Sequence, residues 1–170
     1  MALTVGTDTY VDTPEAADYA VSMGLPLSGD VVAIEAALRR GTLWVDNAFH
    51  DRFPGSKSAG RSQDLEWPRA GAKDRSGSEI SDTEIPREIA RATVQAAVRE
   101  LAAPFSLLPD VTIGTAKVLT DAGGPAWERV RKEADVEDFL PVLTVVEGIL
   151  SGLIVPKRRA SMSTAKTQRT

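Results

Sequence analysis

Between Pro54 and about Thr83 the apolar periodicity of this chain stops, and that gap constrains the fold more than any other feature. The stretch carries Gly55, Gly60, Gly71 and Gly77, Pro54 and Pro68, and many serines, so it offers little to bury. Loops of roughly thirty residues are uncommon inside small domains, and ordered ones are usually functional. Both flanks read as helix. The chain is therefore expected to be a helical body that carries a long ordered loop over residues 54–84.

Helix signals define the body. Thr13 followed by Pro14 and Glu15 reads as an N-cap with proline at the first helical position, and Gly24 with Pro26 closes a helix near residues 14–23. Asp30 can cap a longer helix in which Val31, Ile34, Leu38, Val45 and Phe49 form one apolar stripe, ending near Phe53. A third helix is expected from Ile85-Pro86 to about Ala103, with Ile89, Ala92 and Ala96 on its apolar face and Pro104 as its stop. The β-branched run at 111–120 and the Asp121–Gly124 turn chemistry suggest a β-hairpin or extended arm over 111–131. Pro141 can open a last helix with the stripe Leu143, Val146, Leu150 and Ile154. Alanine is abundant and aromatics are scarce, so the core should rest on close helix approach. The fold class expected is mainly α: a small helical bundle with a long ordered loop.

Charge separates a body from a tail. The last fifteen residues hold Lys157, Arg158, Arg159, Lys166 and Arg169 with no acid, a charge of +5, which leaves −9 for residues 1–155 out of a net −4. We read residues 1–155 as one helical domain and residues 156–170 as a flexible basic tail that orders on meeting a partner, the plain alternative being a solvated terminus. There is no cysteine, which removes disulfides, thiolate nucleophiles and zinc-thiolate sites and fits a reducing compartment. No stretch approaches the roughly 18–20 apolar residues of a membrane span and no leader pattern opens the chain, so a soluble, unexported protein without membrane partners is expected.

Catalytic chemistry finds little to work with. His50, the only histidine, falls at the end of the second helix, where a capping or surface role is the simpler reading. Asp46, His50 and Asp51 do not share one face, so no metal site is expected there, and no phosphate-binding glycine motif is present. No catalytic, cofactor-binding or metal-binding residues are expected, and the chain is not read as an enzyme. The loop is more informative. Arg52, Lys57, Arg61, Arg69, Lys73 and Arg75 surround Trp67, as a nucleic-acid surface of phosphate contacts and one stacking platform would require. The competing reading makes Trp67-Pro68-Arg69 a structural anchor, and the interspersed Asp51, Asp64, Glu66 and Asp74 favour it.

One set of residues resembles a known family. It comprises Thr9-Tyr10-Val11-Asp12 with Glu15-Ala16 and Tyr19, then Ala37-Leu38-Arg39-Arg40 leading to Trp44-Val45-Asp46. Pro54-Gly55, Gln63-x-Leu65-x-Trp67-Pro68-Arg69-x-Gly71, Asp74-x-x-Gly77, Ile85-Pro86 and Ala92-Thr93 follow in order. Over roughly residues 5–103 this is similar to a phage family labelled as a DnaT-like single-strand DNA-binding domain, related to the head–tail connector (adaptor) proteins of long-tailed phages. The resemblance implies a virion structural protein: a subunit of a dodecameric ring below the portal protein, in the neck, that extends the channel for genomic DNA. It would dock a head-completion (stopper) or tail-terminator protein, with assembly from the host bacterial cytoplasm and no cofactor. The interface candidates are Trp67, Pro68 and Arg69 in the loop and Lys157, Arg158 and Arg159 in the tail. The alternative function is a single-strand DNA-binding accessory protein in phage replication or packaging.

Overall fold

The computed structural model describes residues 3–108, 117–119, 127–129 and 141–156. The expected tail, with Lys157, Arg158 and Arg159, lies outside the described residues apart from Pro156 at its start. The protein is mainly helical, built on α1 (Thr13–Met23), α2 (Val31–Phe49), α3 (Arg87–Ala102) and α4 (Thr144–Leu150). Two short antiparallel pairs accompany them: β1 (Ser56–Lys57) with β2 (Arg69–Ala70), and β3 (Lys117–Leu119) with β4 (Trp127–Arg129). The second pair falls within the segment expected to be a hairpin or arm, with Val118 opposite Glu128.

The helix boundaries shift where local hydrogen bonding overrules propensity. Asp12, not Thr13, caps α1, because its carboxylate accepts the Glu15 N–H at 2.8 Å. Gly24 closes the helix in the left-handed conformation, returning its N–H to Val21. α2 stops at Phe49 rather than Phe53, and residues His50–Arg52 tighten into a 3-10 turn. Its stripe buries Ile34, Leu38, Val45 and Phe49 but leaves Val31 exposed at the first turn. α3 starts after Pro86, whose carbonyl accepts the Ile89 N–H. Pro141 precedes α4 by three residues instead of opening it, and Ile154 sits buried in the turn after the helix rather than on its stripe.

α2 and α3 form the central pair. Their contact is close because Gly41 has no side chain: a Cβ there would stand 2.8 Å from the Ala97 nitrogen and 2.9 Å from the Thr93 oxygen. α1 packs Ala16 and Ala20 against Leu38, Val94 and Ala97 on one side. On the other, Trp44, Phe49, Phe53, Trp67 and Ile89 meet Val146, Leu150, Leu153 and Ile154 around α4. The small residues on α1 and α3 let backbones approach, as the alanine-rich composition implies, while the few aromatics gather under the long loop. The turn after α3 is closed by Glu100, which is buried and accepts the N–H groups of Phe105 (2.7 Å) and Leu107 (2.9 Å) and the Arg40 guanidinium (2.7 Å).

Candidate functional site

The loop that interrupts the helices is a folded structure with its own hydrogen-bond system. Arg69 is its centre. Its Nε donates to the Pro54 carbonyl and its Nη2 to the Gly55 carbonyl, both at 2.8 Å, while Nη1 pairs with the Glu66 carboxylate at 2.6 Å. One planar guanidinium therefore clamps the loop entry to its middle, a geometry that a point charge cannot copy. Lys57 approaches the other Glu66 oxygen at 3.1 Å. Gln63 bridges the same turn, donating to the carbonyls of Leu65 and Pro68 and accepting the Ala59 N–H. Gly55 has to be glycine, since its φ is +70° and a Cβ would lie 2.4 Å from the Ala70 oxygen.

Trp67 fixes this assembly to the body. It is wholly buried, its ring meets Phe53 edge-on with centroids 5.8 Å apart, and its bond to the half-buried Pro68 is cis. The backbone beside it is held from the helices. The Tyr10 hydroxyl accepts the N–H groups of Glu66 (2.9 Å) and Trp67 (3.1 Å) and donates to Oδ1 of Asp46. Asp46 Oδ2 takes a second bond from the Glu66 N–H at 3.1 Å. Burial and the adjacent Asp46 carboxylate push the Tyr10 hydroxyl far above its ordinary value. Burial likewise raises Asp46 to about 6, outweighing the stabilising hydrogen bonds from Tyr10 and Glu66. At Glu100 the balance runs the other way. Burial pushes its carboxyl up, but the Leu107 N–H, Arg40 and the Phe105 N–H together hold it below the usual range.

The structure therefore resolves the two readings of the loop in favour of the anchor. Of the six basic residues around Trp67, Arg52 is bonded to Glu147 and the Val155 carbonyl, Lys57 and Arg69 to Glu66, Lys73 to Glu79, and Arg75 to the Ser151 carbonyl. Only Arg61 has no partner among the described residues. A buried indole amid paired cations presents no stacking platform. Trp67, Pro68 and Arg69 come together as expected, but Trp67 and Arg69 face inward.

Further along, Asp74 and Gly77 close a turn, the Asp74 carboxylate accepting the Ser78 N–H at 2.9 Å. The exposed His50 caps α2 through its backbone N–H to Asp46 and touches Asn47 and Asp51 through its ring. Among the described residues no cluster of three or more histidine or carboxylate side chains could hold a metal, and no helix is long and apolar enough to cross a membrane.

The Tyr10–Asp46 hub escaped the sequence reading, which set Asp46 beside His50. The available signal was that Tyr10, Asp46 and Trp67 all belong to the motif set of the resemblance. Nearly every residue in that set now has a structural role: Asp12 caps α1, Trp44 fills the core, Gln63 and Arg69 tie the loop, and Pro86 starts α3. No curated protein and no solved structure matches the chain. The family model described as "Putative DnaT-like ssDNA binding protein" matches residues 2–170, and the chain belongs to that family.

Proposed function

We propose that this protein is a virion structural component, a head–tail connector subunit that assembles as a ring beneath a portal, extends the DNA channel and docks the next tail-side protein. One observation carries the reading: the family's motif residues are spent on folding the long loop rigidly onto the helices, with Trp67 and Arg69 turned inward. A rigid, internally satisfied platform suits a part that must keep its shape within an assembly. The acidic body would let DNA slide through the channel, and the basic tail would bind an acidic portal surface or DNA.

The test is the copy number of this chain relative to the portal subunit in purified, nuclease-treated virions, by quantitative mass spectrometry. A ratio near one is expected, and near absence would overturn the proposal. The family's description favours a second reading, a single-strand DNA-binding accessory protein. It predicts affinity for single strands that falls steeply with salt as counterions are released. Salt-insensitive or undetectable binding by the full chain would remove it.

A further inference from the structure

A groove between α1 and α3 has walls of opposite charge. Glu15, Asp18 and Ser22 recur on α1 at the three- and four-residue steps of one helical face, and Arg87, Arg91 and Val94 do the same on α3. Together they line a volume of about 340 Å³ whose base includes the buried Val11. The two walls do not close on each other. The carboxylates of Glu15 and Asp18 have no partner among the described residues, the Arg91 guanidinium lies 5.7 Å from the centre of the Tyr19 ring, and Arg87 only approaches its neighbour Glu88, at 4.0 Å, with its side chain 77% exposed. An acidic wall thus faces a basic one, and an occupant that satisfies both must bring a base to α1 and an acid to α3.

The long loop presents such a pair. Five of the six basic residues around Trp67 are bonded within the chain, but Arg61, on the 3-10 turn Gly60–Ser62, is exposed and has no partner among the described residues. Asp64, three residues on, is likewise exposed and unpartnered among them, and neither residue lines the groove of its own chain. The turn that carries them is fixed: Gln63 accepts the Ala59 N–H, and the Ser62 hydroxyl donates to the Ala59 carbonyl at 2.7 Å. Charges held out on a rigid turn lose little backbone freedom on docking. We infer that residues 60–64 of one copy of this chain seat in the α1–α3 groove of the next, Arg61 toward Glu15 and Asp18, Asp64 toward Arg87 and Arg91. This rests on the ring reading above and deepens it by naming the subunit contact. The reverse seating would set Arg61 against two arginines, so the charges also fix its direction. Loop tip and groove are different surfaces, and a head-to-tail contact of that kind repeats around a closed ring rather than stopping at a dimer.

The absence of native cysteine makes the test direct. Ser22 lines the groove and Ser62 ends the turn, and both are exposed. Particles are assembled with S22C, with S62C, or with both substitutions in the full chain, and mildly oxidised. The double variant is expected to give a ladder of disulfide-linked multimers, and each single variant none. No ladder from the double variant would overturn the inference. A dimer from either single variant would also overturn it, in favour of a two-fold contact, and S22C linked to a different virion protein would give the groove another occupant. If the copy number still equals the portal's, the ring reading survives with other faces in contact; if not, that reading fails as well. Should the cysteine variants not enter particles, charge reversal decides: R61E and D18R are each expected to lower incorporation several-fold and the combination to restore it. A combination no better than either single variant would overturn the contact.

Discussion

The Tyr10 hydroxyl donates to Asp46 Oδ1 at 2.5 Å, joining residues 36 positions apart, and the hydroxyl oxygen itself accepts the backbone N–H groups of Glu66 and Trp67. The segment before α1, the outer side of α2 and the middle of the long loop thus meet at a single atom. Tyr10→Phe keeps the ring and its packing but removes that atom. Glu66 retains its bond to Asp46 Oδ2, whereas the buried Trp67 N–H loses the only hydrogen bond described for it. Leaving a buried donor unpaired costs roughly 1–3 kcal/mol. We expect Y10F to unfold earlier in urea by that amount and the loop to be cut faster by protease; an unchanged midpoint would show that the hydroxyl does not hold the loop.

Asp46 makes stability depend on pH in an unusual direction. Burial raises its carboxyl from 3.8 to about 6 in the folded protein, against the hydrogen bonds from Tyr10 and the Glu66 N–H and the Lys57 charge, which pull it down, while the Glu66 charge pushes it further up. Between about pH 4 and 6 the folded state therefore holds more protons than the unfolded one, and stability falls as pH rises through that window and levels above it. The loss is at most roughly 2–3 kcal/mol. Glu100, held low, acts the opposite way: its contribution is lost as pH falls below the ordinary carboxylate range. Urea midpoints from pH 5 to 7 should decline for the native chain relative to Asp46→Asn, and equal slopes in the two would refute the assignment.

What the sequence reveals and what it hides follow from distance along the chain. The stripe Ile34, Leu38, Val45 and Phe49 is legible because helical period links residues three, four and seven apart. The anchor role of Trp67-Pro68-Arg69 is legible from the acids diluting its charge. Asp46 is not, because Tyr10 and Glu66 lie 36 and 20 residues away, the one donating from its side-chain hydroxyl and the other from its backbone N–H. The end of α2 is missed for a related reason. Phe53 continues the apolar pattern, yet it is buried from the 3-10 turn's exit, where it meets Trp67.

Two glycines in helices should respond oppositely to alanine. Within α4, Gly148 has open space around its Cβ position, so Gly148→Ala gains helix propensity and should stabilise by up to about 1 kcal/mol. A Cβ on Gly41 would stand 2.8 Å from the backbone of α3, and backbone cannot swing aside as a side-chain end can. Gly41→Ala must push the helices apart at a cost of roughly 1–3 kcal/mol, more than the propensity gain. Thermal unfolding of both variants checks the sign, and a stabilised G41A would mean that α2 and α3 are not in close contact there.

Arg69 separates charge from geometry. Lysine in its place keeps a positive group beside Glu66 but cannot reach the Pro54 and Gly55 carbonyls at once from one ammonium. Arg69→Lys therefore leaves at least one carbonyl short of a donor and should cost roughly 1–3 kcal/mol. Arg69→Ala should cost more, roughly 3–5 kcal/mol, with the lower end expected because Lys57 still neutralises Glu66. In the proposed assembly the two variants should lose incorporation into particles in the same order as they lose loop protection from protease. If lysine matched arginine in both measurements, the clamp would reduce to simple charge pairing, and the close fit of the guanidinium plane to the loop backbone would carry no energetic weight.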